Sequence, residues 1–298
     1  MSLPKPNLPL CKESLMNKLN AYISLTRLDK PVGTYLVLWP TLFALWLAAD
    51  GFPGWHLLVV FVFGAILMRS AGCVINDYAD RHFDGHVERT CQRPIVTGLI
   101  SERSALMFFA LLIFIAFILV LTLNKTAIAW SLGAVILAVL YPFMKRHTYW
   151  PQAFLGAAFA WAIPLSFAAV NQNVPVEAWL IFLATMVWAV VYDTAYAIGD
   201  KQDDLKIGVK STAILFGKNT NLIIGLFQII MLVLLIWTGW LFELGDSYHI
   251  GLLLVGILFI YHQIMLAKND DKLAFKVFLT NHWVFLILWV SVVIDKIY

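Results

Sequence analysis

The sequence predicts an all-α fold, a polytopic membrane bundle of nine transmembrane helices. Three observations lead there. Hydrophobic residues fill 61% of 298 positions. Charged residues supply only 13%, and mean hydropathy is +0.81, whereas a soluble domain carries about a quarter charged residues. The apolar residues also fall in runs near the roughly 20 residues that a helix needs to cross hydrocarbon.

The spans follow in order along the chain. The first 20 residues are polar, carry Lys5, Lys12 and Lys18, and lack a short apolar core. No cleavable signal is expected there, so the run after Pro31 must itself insert. Spans are predicted at 32–49, 56–76, 104–123, 126–144, 152–170, 176–198, 220–242, 249–267 and 275–295. Only Asn124-Lys125-Thr126 separates the third from the fourth, yet together they are too long for one crossing. Pro40, Pro142 and Pro164 lie within or at the ends of spans and predict kinks, which a bundle tolerates when neighbours satisfy the freed carbonyls. Trp39, Trp46, Trp55, Trp150, Trp179 and Trp240 sit mostly near span ends, as in an interfacial aromatic belt.

The basic residues orient the bundle. Lys5, Lys12, Lys18, Arg27 and Lys30 precede the first span. Arg81, Arg89, Arg93 and Arg103 lie between the second and third, Lys145 and Arg146 between the fourth and fifth. Lys201, Lys206, Lys210 and Lys218 follow the sixth, and Lys268, Lys272 and Lys276 link the last two. The opposite face has only Lys125 and Lys296. By the positive-inside rule the N-terminus is cytoplasmic and the C-terminus outside.

Two inside segments hold more carboxylates than helix ends require. Asn76, Asp80 and Asp84 are spaced i, i+4, i+8, with Asp77 beside them, and would form one stripe on a continuing helix. Asp193, Asp200 and Asp204, spaced i, i+7, i+11, form a second face, joined by Asp203. Unaided, such stripes repel themselves. Shared magnesium ions bridged by a diphosphate would hold them, since magnesium takes oxygen ligands from a few carboxylates and phosphates. Lys201, Arg81 and Arg146 could cover the remaining phosphate charge. The other reading of each cluster is a solvated loop capping a helix end. Residues 1–298 read as one membrane domain of two related halves, about 20–150 and 151–298, each delivering an acidic helix end to the same face.

Arg69 lies seven residues, about two turns, deeper than Asn76 on the same stripe. It is either an anchor for an anionic substrate group or a structural partner for a buried carbonyl or carboxylate. Cys11, Cys73 and Cys91 show no CxxC or metal spacing, so neither a disulfide nor a zinc framework is expected. The seven histidines are scattered; His82 and His86, four apart, sit among oxygen ligands that disfavour a softer metal. No phosphate loop, dinucleotide fingerprint or nucleic-acid feature is found.

At the two acidic segments the sequence resembles the UbiA superfamily of intramembrane prenyltransferases. Asn76-Asp77-x-x-Asp80-x-x-x-Asp84 matches its first signature and Asp200-x-x-x-Asp204 its second. The flanking strings resemble its 4-hydroxybenzoate branch: Arg27-Leu28-Asp29-Lys30-Pro31-Val32-Gly33-Thr34, Leu38-Trp39-Pro40-Thr41, Arg89-Thr90-x-x-Arg93-Pro94, Tyr141-Pro142-Phe143-Met144-Lys145-Arg146, Pro151-Gln152 and Gly208-Val209-Lys210-Ser211-Thr212. The likeness covers about 20–218. It implies a central cavity capped by the acidic loops and Mg2+-dependent transfer of a polyprenyl group from its diphosphate to 4-hydroxybenzoate. That is a step of ubiquinone biosynthesis, in a bacterial inner membrane. The metal ligands would be Asn76, Asp80, Asp84, Asp200 and Asp204, with Asp193 a candidate base. Arg69, Asp77, Arg81, Lys145, Arg146, Tyr196, Lys201 and Asp203 are the substrate-binding candidates. Haem, menaquinone or homogentisate chemistry is the alternative within the superfamily. A cation transporter is the alternative outside it, though its charged sites would lie near the midplane. Prenyl length and oligomeric state stay open.

Overall fold

The computed structural model describes residues 17–82, 84–86 and 90–297, without the side chains of His86 and Ile207. The expectations placed on Lys5, Cys11, Lys12, Arg89 and the His86 side chain lie outside the described residues.

A short helix α1 (Lys18–Leu25), capped by the Asn17 side chain, precedes the first span. It buries Ala21 and Leu25 against Ala71 and Val74 of the second. The spans then run α2 (Val32–Ala49), α3 (Trp55–Asp80), α4 (Glu102–Val120) and α5 (Lys125–His147). The fifth is two pieces, α6 (Pro151–Ala160) and α7 (Ala162–Asn171). Pro164 has no N–H to return to Ala160, so the break at Trp161 falls where the proline removes the i→i−4 bond. Next come α8 (Val176–Ile207), α9 (Thr212–Phe216), α10 (Thr220–Leu241) and α11 (Asp246–Leu266). The last span is α12 (Asp271–Thr280) and α13 (His282–Asp295). Here no proline intervenes; Asn281 sits at the break, where its side-chain amide donates to the Val277 carbonyl at 2.7 Å and accepts from Trp188 Nε1 at 3.1 Å.

Among the described residues, nine helical spans are long and apolar enough to cross a membrane, matching the predicted set in order. The tight turn before α5 works because Asn124 does two jobs. Its Oδ1 caps the Ala127 N–H at 2.9 Å, and its Nδ2 closes the carbonyls of Ala168 and Ala169 at the end of α7. The Ala169 carbonyl is a helix-end group that lipid could not satisfy, while the Ala168 carbonyl also accepts from the Gln172 N–H.

The centre is built by α2, α8, α11 and α13, where Phe43, Trp188, Tyr192, Tyr248 and Phe285 are fully buried. By contrast α4 and α5 turn Leu111, Phe114, Ile118, Leu132 and Ile136 outward, as lipid-facing helices must. Lipid gives apolar side chains little reason to associate, so close backbone approach matters more. At the α6–α8 contact a Cβ on Gly156 would stand 2.8 Å from the Met186 carbonyl oxygen, so only glycine fits.

Two expectations change. The acidic stripe does not stay helical through Asp84: α3 ends at Asp80, and Asp84 begins a separate 3-10 turn to His86. Cys91 is disulfide-bonded, while Cys73 is a buried free thiol; a lone bridge leaves no spacing pattern to read.

Candidate active site

A cavity of about 1030 Å³ runs through the bundle, lined at its inner end by both acidic segments. Its volume is at the upper end for sites that swallow a small ligand. It reaches from the ends of α3 and α8 down to Thr41, Leu123 and Leu165, beside lipid-facing residues such as Leu132.

On α3, Asn76 and Asp80 share the cavity face one turn apart. Tyr141 Oη of α5 donates to Asn76 Oδ1 at 3.4 Å. The end of α5 also delivers two cations. Lys145 pairs with Asp80 Oδ2, and Arg146 Nη2 donates to the Ala79 carbonyl at 2.5 Å, 4.0 Å from Asp80 Oδ1. Asp80 Oδ1 is itself buried without a hydrogen-bond partner. Asp84 is brought back to the same cavity by Arg93 at 2.6 Å, while Thr90 Oγ1 donates to its carbonyl at 2.9 Å. Burial pushes the Asp84 carboxyl up to about 6, with Arg93 opposing and Asp80 and Asp77 adding to the rise. Burial disfavours the charge on Arg93, yet Asp77 and Asp84 together outweigh it and raise its already high pKa.

Asp77 has no side-chain exposure at all and is fully paired. Arg27 Nη2 reaches its two oxygens at 2.8 and 3.1 Å, and Arg93 Nη1 lies at 3.1 Å. Arg27 stands in a left-handed turn (φ 59°) just past α1 and anchors its own Nη1 on the Ser24 carbonyl.

The second segment is one unbroken helix, α8, so Asp193, Asp200 and Asp204 do share a face, and all three line the cavity. The turn after it is bolted to α8, α6 and α5. Thr194 and Thr212 hydroxyls meet at 2.6 Å, Gln152 Oε1 accepts from the Thr212 N–H at 3.1 Å, and the Lys210 N–H donates to the Lys145 carbonyl. Deeper in, Arg69 has its Nη1 on the Cys73 sulfur and its buried Nε without a hydrogen-bond partner. Tyr192 and Tyr196 complete this wall, Tyr196 packing on Phe278 at 4.8 Å.

Of the expected site residues the structure gathers Arg69, Asn76, Asp77, Asp80, Asp84, Lys145, Arg146, Asp193, Tyr196, Asp200 and Asp204 on one cavity. It does not bring in three. Arg81 pairs with Glu102 at 2.9 Å and stacks on Tyr78, Lys201 donates to the Gly217 carbonyl, and Asp203 pairs with Lys206 at 2.9 Å. Arg27, Lys30, Arg93 and Lys210 also line the cavity. In the sequence they counted only as loop charge or as parts of flanking strings.

The donor set fits a hard divalent cation. Every candidate ligand offers oxygen, and Asp80 presents a buried, unsatisfied oxygen. Among the described residues no three carboxylates already converge as a metal cage; instead Lys145 and Arg93 neutralise Asp80 and Asp84. A site that keeps several waters and shares phosphate oxygens needs no all-protein cage.

The UbiA prenyltransferase family model matches residues 37–289. Among curated relatives, a 4-hydroxybenzoate octaprenyltransferase of Hydrogenovibrio crunogenus is 59% identical over 94% of this chain and 98% of its own length. One of Saccharophagus degradans is 51% identical over 98% and 96%. Among solved structures, a UbiA homolog of Aeropyrum pernix K1 superposes with TM-score 0.77 at 23% identity, covering 94% of this chain and 99% of that one. A UbiA homolog of Archaeoglobus fulgidus bound to GPP and Mg2+ gives 0.71 at 19%, covering 92% and 99%.

Proposed function

This chain belongs to the UbiA prenyltransferase family, and from that premise we propose that it transfers a polyprenyl group from a polyprenyl diphosphate to 4-hydroxybenzoate, as in ubiquinone biosynthesis. The observation that carries the reading is the meeting of the two acidic helix ends with Arg69 on one apolar-walled cavity. Relatives 51–59% identical across nearly the whole chain are 4-hydroxybenzoate octaprenyltransferases.

The chemistry balances as follows. The allylic C–O bond of the prenyl diphosphate breaks and diphosphate leaves. The ring carbon ortho to the acceptor's hydroxyl forms the new C–C bond, and the displaced ring proton goes to a base. Asp193 is the candidate base, about two turns deeper than Asp200 on α8. Lys145 and Arg146 hold diphosphate oxygens at the inner end. Arg69 holds the acceptor carboxylate, which must be paired to offset its desolvation. The apolar walls keep water from the developing cation. Magnesium would be held by Asn76, Asp80, Asp84, Asp200 and Asp204, and when bound supplies Lewis-acid neutralisation of the leaving group; the GPP and Mg2+ of the Archaeoglobus fulgidus homolog support that choice. The setting is a bacterial inner membrane, N-terminus cytoplasmic, with prenyl diphosphate entering from the bilayer.

The test is product mass. Purified protein in lipid vesicles is given 4-hydroxybenzoate with prenyl diphosphates of several lengths, with magnesium or with a chelator. Magnesium-dependent appearance of prenylated 4-hydroxybenzoate is expected. Prenylation of another aromatic acceptor, with none of 4-hydroxybenzoate, would overturn the assignment.

A further inference from the structure

Gly33 is buried near the start of α2, one side of the cavity, with its face toward Arg69 of α3. A Cβ built there would stand 2.7 Å from Arg69 Nε and 2.9 Å from Cζ, and nearer still to Nη2. The guanidinium therefore lies against the bare Cα of Gly33, and no other residue type leaves that space. Nothing in the backbone asks for glycine, because Gly33 is inside a helix and has no positive φ. Glycine within a helix costs roughly 0.5–1 kcal/mol against alanine, so a purely structural position would be better filled by alanine.

From this contact we infer that Gly33 is a positioning residue: it is the seat that fixes where the Arg69 guanidinium points in the cavity. Two further facts agree. The Nη1 corner is set against Cys73 Sγ, and the Nε is buried with no hydrogen-bond partner. The group is thus held by shape on one side and left with unspent donor capacity. An anionic group entering the cavity would meet a fork already oriented, and a planar fork binds a carboxylate well only when its plane is right. The clash falls on the far end of a flexible side chain, not on backbone. Gly33→Ala therefore moves the guanidinium and leaves the fold intact, which separates positioning from stability.

The inference rests on the reading of Arg69 as acceptor anchor, and the experiment separates the two. Gly33→Ala is compared with the parent in thermal midpoint, in the KM of each substrate, and in the alkylation rate of Cys73 by iodoacetamide, followed on the Cys73 peptide by mass spectrometry. Arg69 Nη1 lies against Cys73 Sγ, so a displaced guanidinium alters the reagent's access to that thiol and Cys73 reports on it with no turnover. The expected result is an unchanged midpoint, an alkylation rate changed several-fold, and a KM for 4-hydroxybenzoate raised about tenfold or more, since displacements near 1 Å carry penalties of that order. The KM for the prenyl diphosphate stays at its parental value. In an Arg69→Ala background, adding Gly33→Ala changes nothing further. Parental alkylation in Gly33→Ala, or full additivity with Arg69→Ala, overturns the seat. An altered alkylation rate with an unchanged acceptor KM keeps the seat and overturns instead the reading of Arg69 as the acceptor's anchor.

Discussion

Asp77→Asn separates a carboxylate that binds a ligand from one that holds the site together. Asp77 has zero side-chain exposure and two arginine partners, whose own side chains are 21% and 16% exposed. At a charge separation near 4 Å and an effective dielectric of about 20, each pair is worth about 4 kcal/mol before desolvation. Removing one partner from a buried pair typically costs about 3–5 kcal/mol. Both arginines keep some water access and asparagine keeps one acceptor oxygen, so the lower end applies, about 3 kcal/mol. With about 2–4 °C per kcal/mol for chains of this size, the thermal midpoint falls by roughly 6–12 °C. Arg27→Gln in the same chain then recovers part of the loss, because the stranded cation goes with it. Activity changes in a particular way. Arg93 now has only Asp84 to pair with and competes harder with an entering divalent cation, so half-maximal turnover needs more magnesium while the KM for 4-hydroxybenzoate stays put. The assay is thermal unfolding in detergent followed by a magnesium titration of product formation. A parental midpoint with a raised KM for the prenyl diphosphate would refute this and make Asp77 a substrate ligand.

Three other outcomes are expected. Asp80→Asn and Asp204→Asn each nearly abolish transfer while the protein still inserts, and residual activity needs more magnesium; near-normal turnover of both at ordinary magnesium would contradict the two-cluster site. Arg69→Lys raises the KM for 4-hydroxybenzoate alone, and Arg146→Lys that for the prenyl diphosphate alone, since lysine cannot reproduce the planar fork; a swapped pattern exchanges the two roles. In intact cells, membrane-impermeant maleimide reaches a cysteine replacing the exposed Gln172 but not one replacing the exposed Lys206, and the reverse labelling would invert the bundle.

The spans were legible because hydrocarbon imposes a length on every crossing and forbids charge along it. That constraint acts on the sequence locally, so α2 begins and ends where the apolar run does. The break in the fifth span was also local, written by Pro164. The break at Asn281 was not. It depends on Trp188, 93 residues away, donating its indole N–H to the asparagine, and no breaker residue marks it. The same division holds for the acidic ends. Asn76 and Asp80 fall on one face because α3 continues past the apolar run, and Asp193, Asp200 and Asp204 because α8 does. Helical spacing alone carries that far and no further.

Beyond that point the site is decided by cations arriving from elsewhere. Asp84 leaves the helix yet stays on the cavity because Arg93 holds it, and Arg93 is in turn held by Asp77. Asp77 and Asp80 belong to the same signature, but one is buried with Arg27 from the turn after α1 and the other faces Lys145 from α5. Their partners lie 50 and 65 residues away. Spacing could not tell these carboxylates apart, since all three occupy the same short stretch with the same charge. What distinguishes them is which arginine or lysine the fold brings within reach, and whether one oxygen is left over. Asp77 has both oxygens engaged, whereas Asp80 keeps a buried Oδ1 without a hydrogen bond. A carboxylate with spare buried capacity is the one that gains most from a cation it does not yet have, which is why we propose Asp80 and not Asp77 as a metal ligand.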